Sequence, residues 1–396
     1  MSVNRVELCL RGKAAKAHLE SPSMKPAFDV CIRGAGVVGQ TLALLLAALR
    51  LRVGLVQDTT PSASDVRAFA LNASSHALLQ ELRCWPAQAH TTAVQRMRVW
   101  GDSGAQVQLD APSPQGLTWI VDVPELQAQL AQAIQYQPLI SLLQAPDKAS
   151  LTVVCEGRHS TSREQAGVVH EVLPYDQHAL AARVQCTVPH DGQAFQWFNH
   201  VNGELDILAL LPMGGAQGQQ AALVWSLSPA RAQQLQAMPA ADFEQALHHA
   251  SHGQLGDLSL TSERRTWPLQ MARATQWSGT FSDGSAWVLA GDAAHSVHPL
   301  AGLGLNLGLA DAQALRDVLQ TRQGLNHWRA LNDRRLLRQY ERQRKAGMWP
   351  IWVACDALQR LFAHPHALAK DLRQWGMNHF DTIPPLKQWV IQQAMQ

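Results

Sequence analysis

The 396-residue sequence lacks a Cys-x-x-Cys pair, a marked excess of either charge, and any apolar run of bilayer length. A helix crossing a membrane needs about 18 or more apolar residues, so no transmembrane span is expected. The six cysteines, at positions 9, 31, 84, 155, 186 and 355, are scattered. That pattern argues against a zinc ribbon or a disulfide scaffold and suits a reducing, cytoplasmic compartment. The 17 histidines show no metal-ligand spacing, and no metal is expected. A formal charge of +2 gives no electrostatic case for nucleic acid. Residues 1–26 have no secretory apolar core, and Glu7 and Glu20 speak against a mitochondrial presequence. They read as a disordered extension, with Met24 as an alternative start.

What is present is a globular composition, 46% hydrophobic and 16% charged, in a chain too long for one ordinary core. Two domains are expected, without repeats or low-complexity segments. The stretch 286–319 organises the reading. Ala286-Trp287-Val288-Leu289-Ala290 has the length of a buried strand, and Gly291-Asp292 ends it. A second glycine-rich run, Ala301-Gly302-Leu303-Gly304-Leu305-Asn306-Leu307-Gly308, precedes the helical spacing of Leu305, Leu309, Ala312, Leu315 and Leu319. Glycines at a helix start let unpaired N–H groups, at the positive end of the dipole, approach an electron-rich ligand. Asp292 could then accept hydrogen bonds from sugar-like hydroxyls, or be incidental to a tight turn.

Near the other end, Phe28-Asp29-Val30-Cys31-Ile32-Arg33 reads as a strand, residues 40–49 as a helix and residues 52–56 as a second strand. Gly34-Ala35-Gly36-Val37-Val38-Gly39 lies at the first turn of this βαβ unit, where a Gly-x-Gly-x-x-Gly pattern holds the pyrophosphate of a dinucleotide. Gln57 stands where an acid usually meets the adenosine ribose, with Asp58 as a substitute. Residues 97–102 and 105–109 read as a hairpin and residues 119–123 as a strand. Further strands are expected at 179–188, 206–213 and 222–227, forming an antiparallel sheet, followed by one helix over 229–249. Phe195, Trp197, Phe198 and Trp225 are either pocket or core. Beyond Leu319 an Arg-rich helical region, with Trp349 and Trp352, reads either as a solvated face or as a surface for anionic lipid or a partner.

Three stretches carry a resemblance. Gly291-Asp292-Ala293-Ala294-His295 with His298-Pro299-Leu300-Ala301-Gly302-Leu303-Gly304-Leu305-Asn306-Leu307-Gly308 resembles the third flavin motif of the group A FAD-dependent aromatic hydroxylases. It is closest to their ubiquinone-biosynthesis branch, with Leu303 where that branch usually has Gln. Asp65-Val66-Arg67-Ala68-Phe69-Ala70-Leu71 is similar to the family's Asp-x-Arg-x-x-Ala-Leu. Cys155-Glu156-Gly157 with Ser160 and Arg163 resembles its Ala-Asp-Gly-x-x-Ser-x-x-Arg, with Glu156 in place of Asp.

The resemblance implies an α/β fold of two domains, with a Rossmann-like FAD-binding domain interleaved with an antiparallel-sheet substrate domain, and a helical C-terminus. The FAD-binding part would comprise residues 27–95, 119–167 and 265–330. The substrate part would comprise 96–118 and 168–264, and the C-terminal helices 331–396. It further implies that Gly34, Gly36, Gly39, Gln57, Arg67, Glu156, Gly157, Gly291, Asp292, Gly302, Gly304, Leu305 and Asn306 hold FAD. Gly302 and Gly304 would meet the flavin edge, with Pro299 beside the position where oxygen reacts. Arg67 would lie along the phosphate–ribityl chain, a salt bridge to Asp65 being the alternative. NAD(P)H would be co-substrate, and O2, through a C4a-hydroperoxide, would hydroxylate a polyprenyl phenol. The alternatives are a small soluble phenol, or a non-catalytic subunit of a biosynthetic complex. The place of action would be the cytoplasm, peripheral to the inner face of the membrane or within such a complex.

Overall fold

The computed structural model describes residues 27–57, 65–101, 104–201, 203–215, 217–297, 302–323 and 329–363, with side chains as far as residue 353. The expected extension 1–26, Asp58, His298, Pro299 and residues 364–396 of the C-terminal region therefore lie outside the described residues. Among those residues lie three sheets. The first has six strands in the order Ser278–Thr280, Ala286–Leu289, Ala149–Val154, Phe28–Arg33, Val53–Val56, Ile140–Leu143. All its pairings are parallel except that of the edge strand Ser278–Thr280. Helices Val37–Ala48, Val123–Gln135, Leu303–Gln320 and Arg334–Ala363 share its core. The fully buried strand Ala286–Leu289 shows why short apolar runs belong in such a sheet: both of its faces are covered.

The second sheet has nine strands, and His170–Cys186 is its spine. That strand pairs with Gln220–Leu227 on one side and with Arg265–Ala274 on the other, both antiparallel. The Arg265–Ala274 strand, expected to lead into the nucleotide fold, is therefore part of this sheet. Arg96–Trp100 and Gln106–Asp110 form the expected hairpin, but Arg96–Trp100 joins Gln193–Val201 in parallel, so the sheet is not wholly antiparallel. A small third sheet, Ala68–Leu71, Thr118–Asp122 and Thr91–Val94, pairs with neither. It packs on the nine-stranded sheet through Ala68, Val94 and Ile120 and on the core of the six-stranded sheet through Leu71 and Val121. The expected single helix 229–249 is two helices, Pro229–Ala237 and Ala240–Ala250. Pro239 interrupts it, because proline disfavours a helical conformation in the residue before it.

Alternation across the strands decides the fate of the aromatic residues. Phe195, Trp197 and Trp225 lie in a core with Phe243 and Leu247, on the side covered by the two helices. Trp197 is stacked on Trp100 at 5.1 Å and on Phe195 at 5.9 Å between ring centroids. Phe198 packs with Leu205 and Ile207 instead. The pocket reading of these residues gives way to the core reading. Trp197→Ala should therefore cost about 3–5 kcal/mol. The check is a clear fall in the thermal midpoint, with any ligand affinity of the remaining folded protein unchanged; a pocket residue would show the reverse.

Candidate active site

Three adjacent parallel strands deliver three of the sequence motifs to one place. Arg33 pairs with Val154 and Val154 with Leu289, so Gly34, Cys155 and Ala290 all leave the carboxyl edge of the sheet together. Gln57 leaves the same edge one strand further over. Ligands of open α/β sheets dock outside this edge, where the backbone turns away.

The glycines there divide by what surrounds them. A Cβ on Gly34, whose φ is +104°, would lie 2.4 Å from the Cys155 carbonyl oxygen, and one on Gly39 would lie 1.9 Å from that of Gly34. These two let backbones touch. A Cβ on Gly36 or Gly304 would meet nothing within 4 Å. Gly36 is the N-cap of helix Val37–Ala48, and Gly302, at φ 63°, is the N-cap of helix Leu303–Gln320. Neither helix has a side-chain cap or an acid in its first turn, whereas Asn72 and Ser160 do cap theirs. Two bare helix starts, with open space at Gly36 and at Gly304, suit electron-rich groups. The two helices touch where Gly308 admits Val38, because a Cβ on Gly308 would lie 2.6 Å from the valine methyl.

Asp292 follows Gly291, which is left-handed at φ 62°. Its carboxylate is about half exposed, 3.9 Å from Arg158 Nε. Surrounding protein pushes its pKa up, opposed by His295, Arg158 and Arg67. Arg67 is held by Asp65, whose carboxylate accepts from Nε at 2.8 Å and Nη2 at 2.6 Å. The salt bridge that was the alternative role for Arg67 is thus present. Glu156 serves its own turn, accepting from Ser160 Oγ at 2.7 Å, from Ser162 N at 2.9 Å and from Ser162 Oγ at 2.6 Å. Gly157, at φ +75°, faces open space. The Asn306 side chain is a clamp: Nδ2 donates to Ala70 O at 2.8 Å, while Oδ1 accepts from Asn72 N at 3.0 Å and Ser75 Oγ at 2.8 Å. That leaves the backbone of Gly302, Leu303, Gly304 and Leu305, rather than the asparagine side chain, for a ligand. Pro299 lies outside the described residues.

The residue that sequence reasoning missed is Asp311, which is completely buried beneath this edge. Its carboxylate accepts from Gly291 N at 2.8 Å and Arg344 Nε at 2.6 Å, and bonds His295 Nε2 at 2.6 Å. Burial alone would raise its pKa, but His295 and Arg344 outweigh burial and hold it below the ordinary value. Arg163, the arginine of the Glu156 motif, is buried too. It donates to Ala293 O at 3.1 Å and to Arg158 O at 2.9 Å, tying the Glu156 turn to the Asp292 turn. A signal for Asp311 existed, as a lone charge on the apolar face of Leu309, Ala312 and Leu315.

Residues 147–352, just over half of the chain, match the family described as FAD binding domain. The chain belongs to that family. Within the matched span of this FAD binding domain lie the Glu156, Gly291–Asp292 and Gly302 elements; the Gly34 turn precedes it. The 3-demethoxyubiquinol 3-hydroxylase of Escherichia coli is 29% identical, covering 93% of this chain and 98% of that protein. The ubiquinone hydroxylase UbiL of Rhodospirillum rubrum is 28% identical over 93% of this chain and 89% of its own. The p-nitrophenol 4-monooxygenase PnpA of Pseudomonas putida shares the fold, with a TM-score of 0.72 at 15% identity over 93% and 98% of the two chains.

The glycine division separates fold from ligand. Gly36→Ala should melt as the wild type does yet lose most FAD binding, measured by flavin absorbance after gel filtration; Gly39→Ala should lose the fold itself. Asp311→Ala leaves the half-buried Arg344 without its ion pair, and the buried His295 and the Gly291 N–H without their acceptor, and should cost about 3–5 kcal/mol. The Asp311 contribution is complete above about pH 3.9 and is lost as pH falls through its lower folded-state pKa. Acid unfolding of the variant, followed by circular dichroism, should lack that component.

Proposed function

We propose that this chain is an FAD-dependent monooxygenase that hydroxylates the aromatic ring of an apolar, polyprenylated phenol during ubiquinone biosynthesis. The observation that carries the reading is the pair of uncapped helix starts at Gly36 and Gly302, with open space at Gly36 and, in the first turn of the second helix, at Gly304, at the carboxyl edge of the parallel sheet. That arrangement fits FAD. The turn that Gly34 and Gly39 close would receive its pyrophosphate at Gly36, with Gln57 on the adenosine ribose and Asp292 on the hydroxyls of the ribityl chain. Arg67, once it shares its guanidinium between Asp65 and a phosphate, would neutralise charge there. The Gly302–Leu305 backbone would meet the electron-rich edge of the ring system. When bound, FAD supplies the chemistry that couples NAD(P)H oxidation to insertion of one oxygen atom from O2, the other leaving as water.

Substrate polarity is read from the apolar cluster, buried between the small third sheet and the nine-stranded sheet, that backs the Gly302 turn. Ala68, Ile120, Ala194, Met213 and Ala222 make an apolar cluster with Ala70, and Ala70 packs on the Gly302 turn, where a Cβ would lie 3.0 Å from its methyl. Arg183, the cation available for a substrate carboxylate, is bound through both Nη atoms to Asp122 at 2.7 Å each. An apolar phenol suits this surface better than a small anionic one. The FAD-holding part would be built on the six-stranded sheet and the substrate cover on the nine-stranded one. Such a substrate resides in lipid, and a peripheral place at the inner face of the membrane suits a protein that acts on it.

Deleting the gene in a host that makes ubiquinone tests the reading. A quinone precursor lacking one ring hydroxyl should accumulate, and the wild-type gene, but not Gly36→Ala, should restore the pool. An unchanged quinone pool would contradict the pathway. Full restoration by a Gly36→Ala protein shown to lack FAD would leave the non-catalytic subunit.

A further inference from the structure

Helix Arg334–Ala363 buries its inward face along the part whose side chains are described. Leu336, Leu337, Tyr340, Met348 and Trp352 are buried in the core of the six-stranded sheet. The opposite face carries a second pattern. Arg335, Arg338, Arg342, Trp349 and Val353 are all exposed, and at 3.6 residues per turn they fall within a sector of about 60°. Trp349 is 63% and Val353 49% exposed. On the same helix Arg344 is bound to Asp311 and Lys345 to Glu341. Among the described residues the guanidiniums of Arg335, Arg338 and Arg342 have no acidic partner.

The three arginines, with Lys345, border a groove of about 730 Å³ closed by Gln276 and Ser278. Its one acid, Glu341, is occupied by Lys345 at 2.6 Å and by Ser278 Oγ at 2.8 Å. Beside it runs the ribbon of His170–Cys186 and Arg265–Ala274. Lys345 Nζ donates to Thr275 O at 2.7 Å, Thr275 N donates to Val169 O at 3.0 Å, and Arg273 lies over the Trp352 ring at 5.7 Å. Val169, Val172 and Leu173 on that ribbon are exposed too. Five of the eight large exposed hydrophobics among the described residues thus gather on this helix and its neighbouring ribbon, which is too many for scattered surface residues.

We infer that this face docks the protein on an anionic lipid surface, the arginines on headgroup phosphates and Trp349 with Val353 in the interfacial layer. Charge complementarity selects the occupant. The chain's own residues 364–396 carry Lys370, Arg373 and Lys387 against Asp371 and Asp381, a net charge of +1, and do not complement three arginines. A second copy would bring the same arginines. The composition of the stripe also fits a lipid interface: basic side chains for headgroups and Trp349 with Val353 for the boundary below them share one face of the helix. An acidic protein would satisfy the arginines and leave the tryptophan and valine without purpose. The inference deepens the peripheral placement proposed above and rests on it for the lipid-resident substrate. Its test reads binding rather than turnover, so it can fail while the flavin chemistry stands.

The test is co-sedimentation of the full chain with phosphatidylcholine vesicles, with and without phosphatidylglycerol. Binding is expected to the anionic vesicles only, and to weaken at high salt. At about 1 kcal/mol for each basic residue near the surface, the triple variant Arg335→Gln, Arg338→Gln, Arg342→Gln should bind about 100-fold more weakly. Trp349→Ala should weaken binding severalfold with all charges intact. Both variants should melt as the wild type does, since every altered side chain is exposed. The proposal is overturned if the wild type ignores anionic vesicles, or if the folded triple variant binds them undiminished. It is equally overturned if Trp349→Ala converts a lipid-free dimer to a monomer, because a second copy would then own the face.

Discussion

A single buried carboxylate holds the candidate site together. Asp311 receives the Gly291 amide, the His295 ring and the Arg344 guanidinium at 2.6–2.8 Å. Those three partners belong to the end of a sheet strand, the short strand His295–Ser296 and the Arg334–Ala363 helix, while Asp311 sits on Leu303–Gln320. Placing a charge in the interior costs several kcal/mol unless it is paired and hydrogen-bonded. Here both carboxylate oxygens are bonded, so the cost falls on any arrangement that breaks the set. The left-handed turn at Gly291 that presents Asp292 follows from this, as does the register of the helix whose first turn begins at Gly302.

A second constraint is the closeness of backbones around the sheet edge. Gly34 and Gly39 are required by neighbouring carbonyls, and Gly308 by Val38. Gly36 and Gly304 face space. Identical residues thus have two physical jobs, one to bring strands and helices together and one to leave room. The room lies at the positive ends of two helices that no side chain caps. This is how a sheet built for packing comes to hold a cofactor.

Much of this was legible from sequence. The βαβ unit around Gly34–Gly39, the strand before Gly291 and the helix after Gly302 each had a period and a punctuating glycine, and local signals of that kind survive folding. The hairpin around residue 103 was legible for the same reason. What escaped depends on contacts distant in sequence. Nothing in an Arg-rich run distinguishes Arg344, which reaches Asp311, from Arg342, which faces outward. Asn306 looked like a ligand because of its motif, yet Ala70, Asn72 and Ser75, more than 230 positions away, consume its side chain. Trp197 and Trp225 could not be assigned to pocket or core until the helices Pro229–Ala237 and Ala240–Ala250 were placed over one face of the sheet. The parallel joining of Arg96–Trp100 to Gln193–Val201 is likewise invisible to local pattern.

The substitutions that set this chain apart from the motif it resembles are absorbed by local structure. Glu156 reaches three donors of Ser160 and Ser162 with its longer side chain, and Leu303 packs on the core at the first position of its helix. The central claim is that the site so formed takes up FAD, and equilibrium titration of the cofactor-free protein, followed by flavin fluorescence and visible absorbance, tests it most directly. The account predicts saturable uptake of one FAD per chain with a perturbed flavin spectrum. A folded protein in whose presence the spectrum stays that of free FAD at every concentration would contradict it.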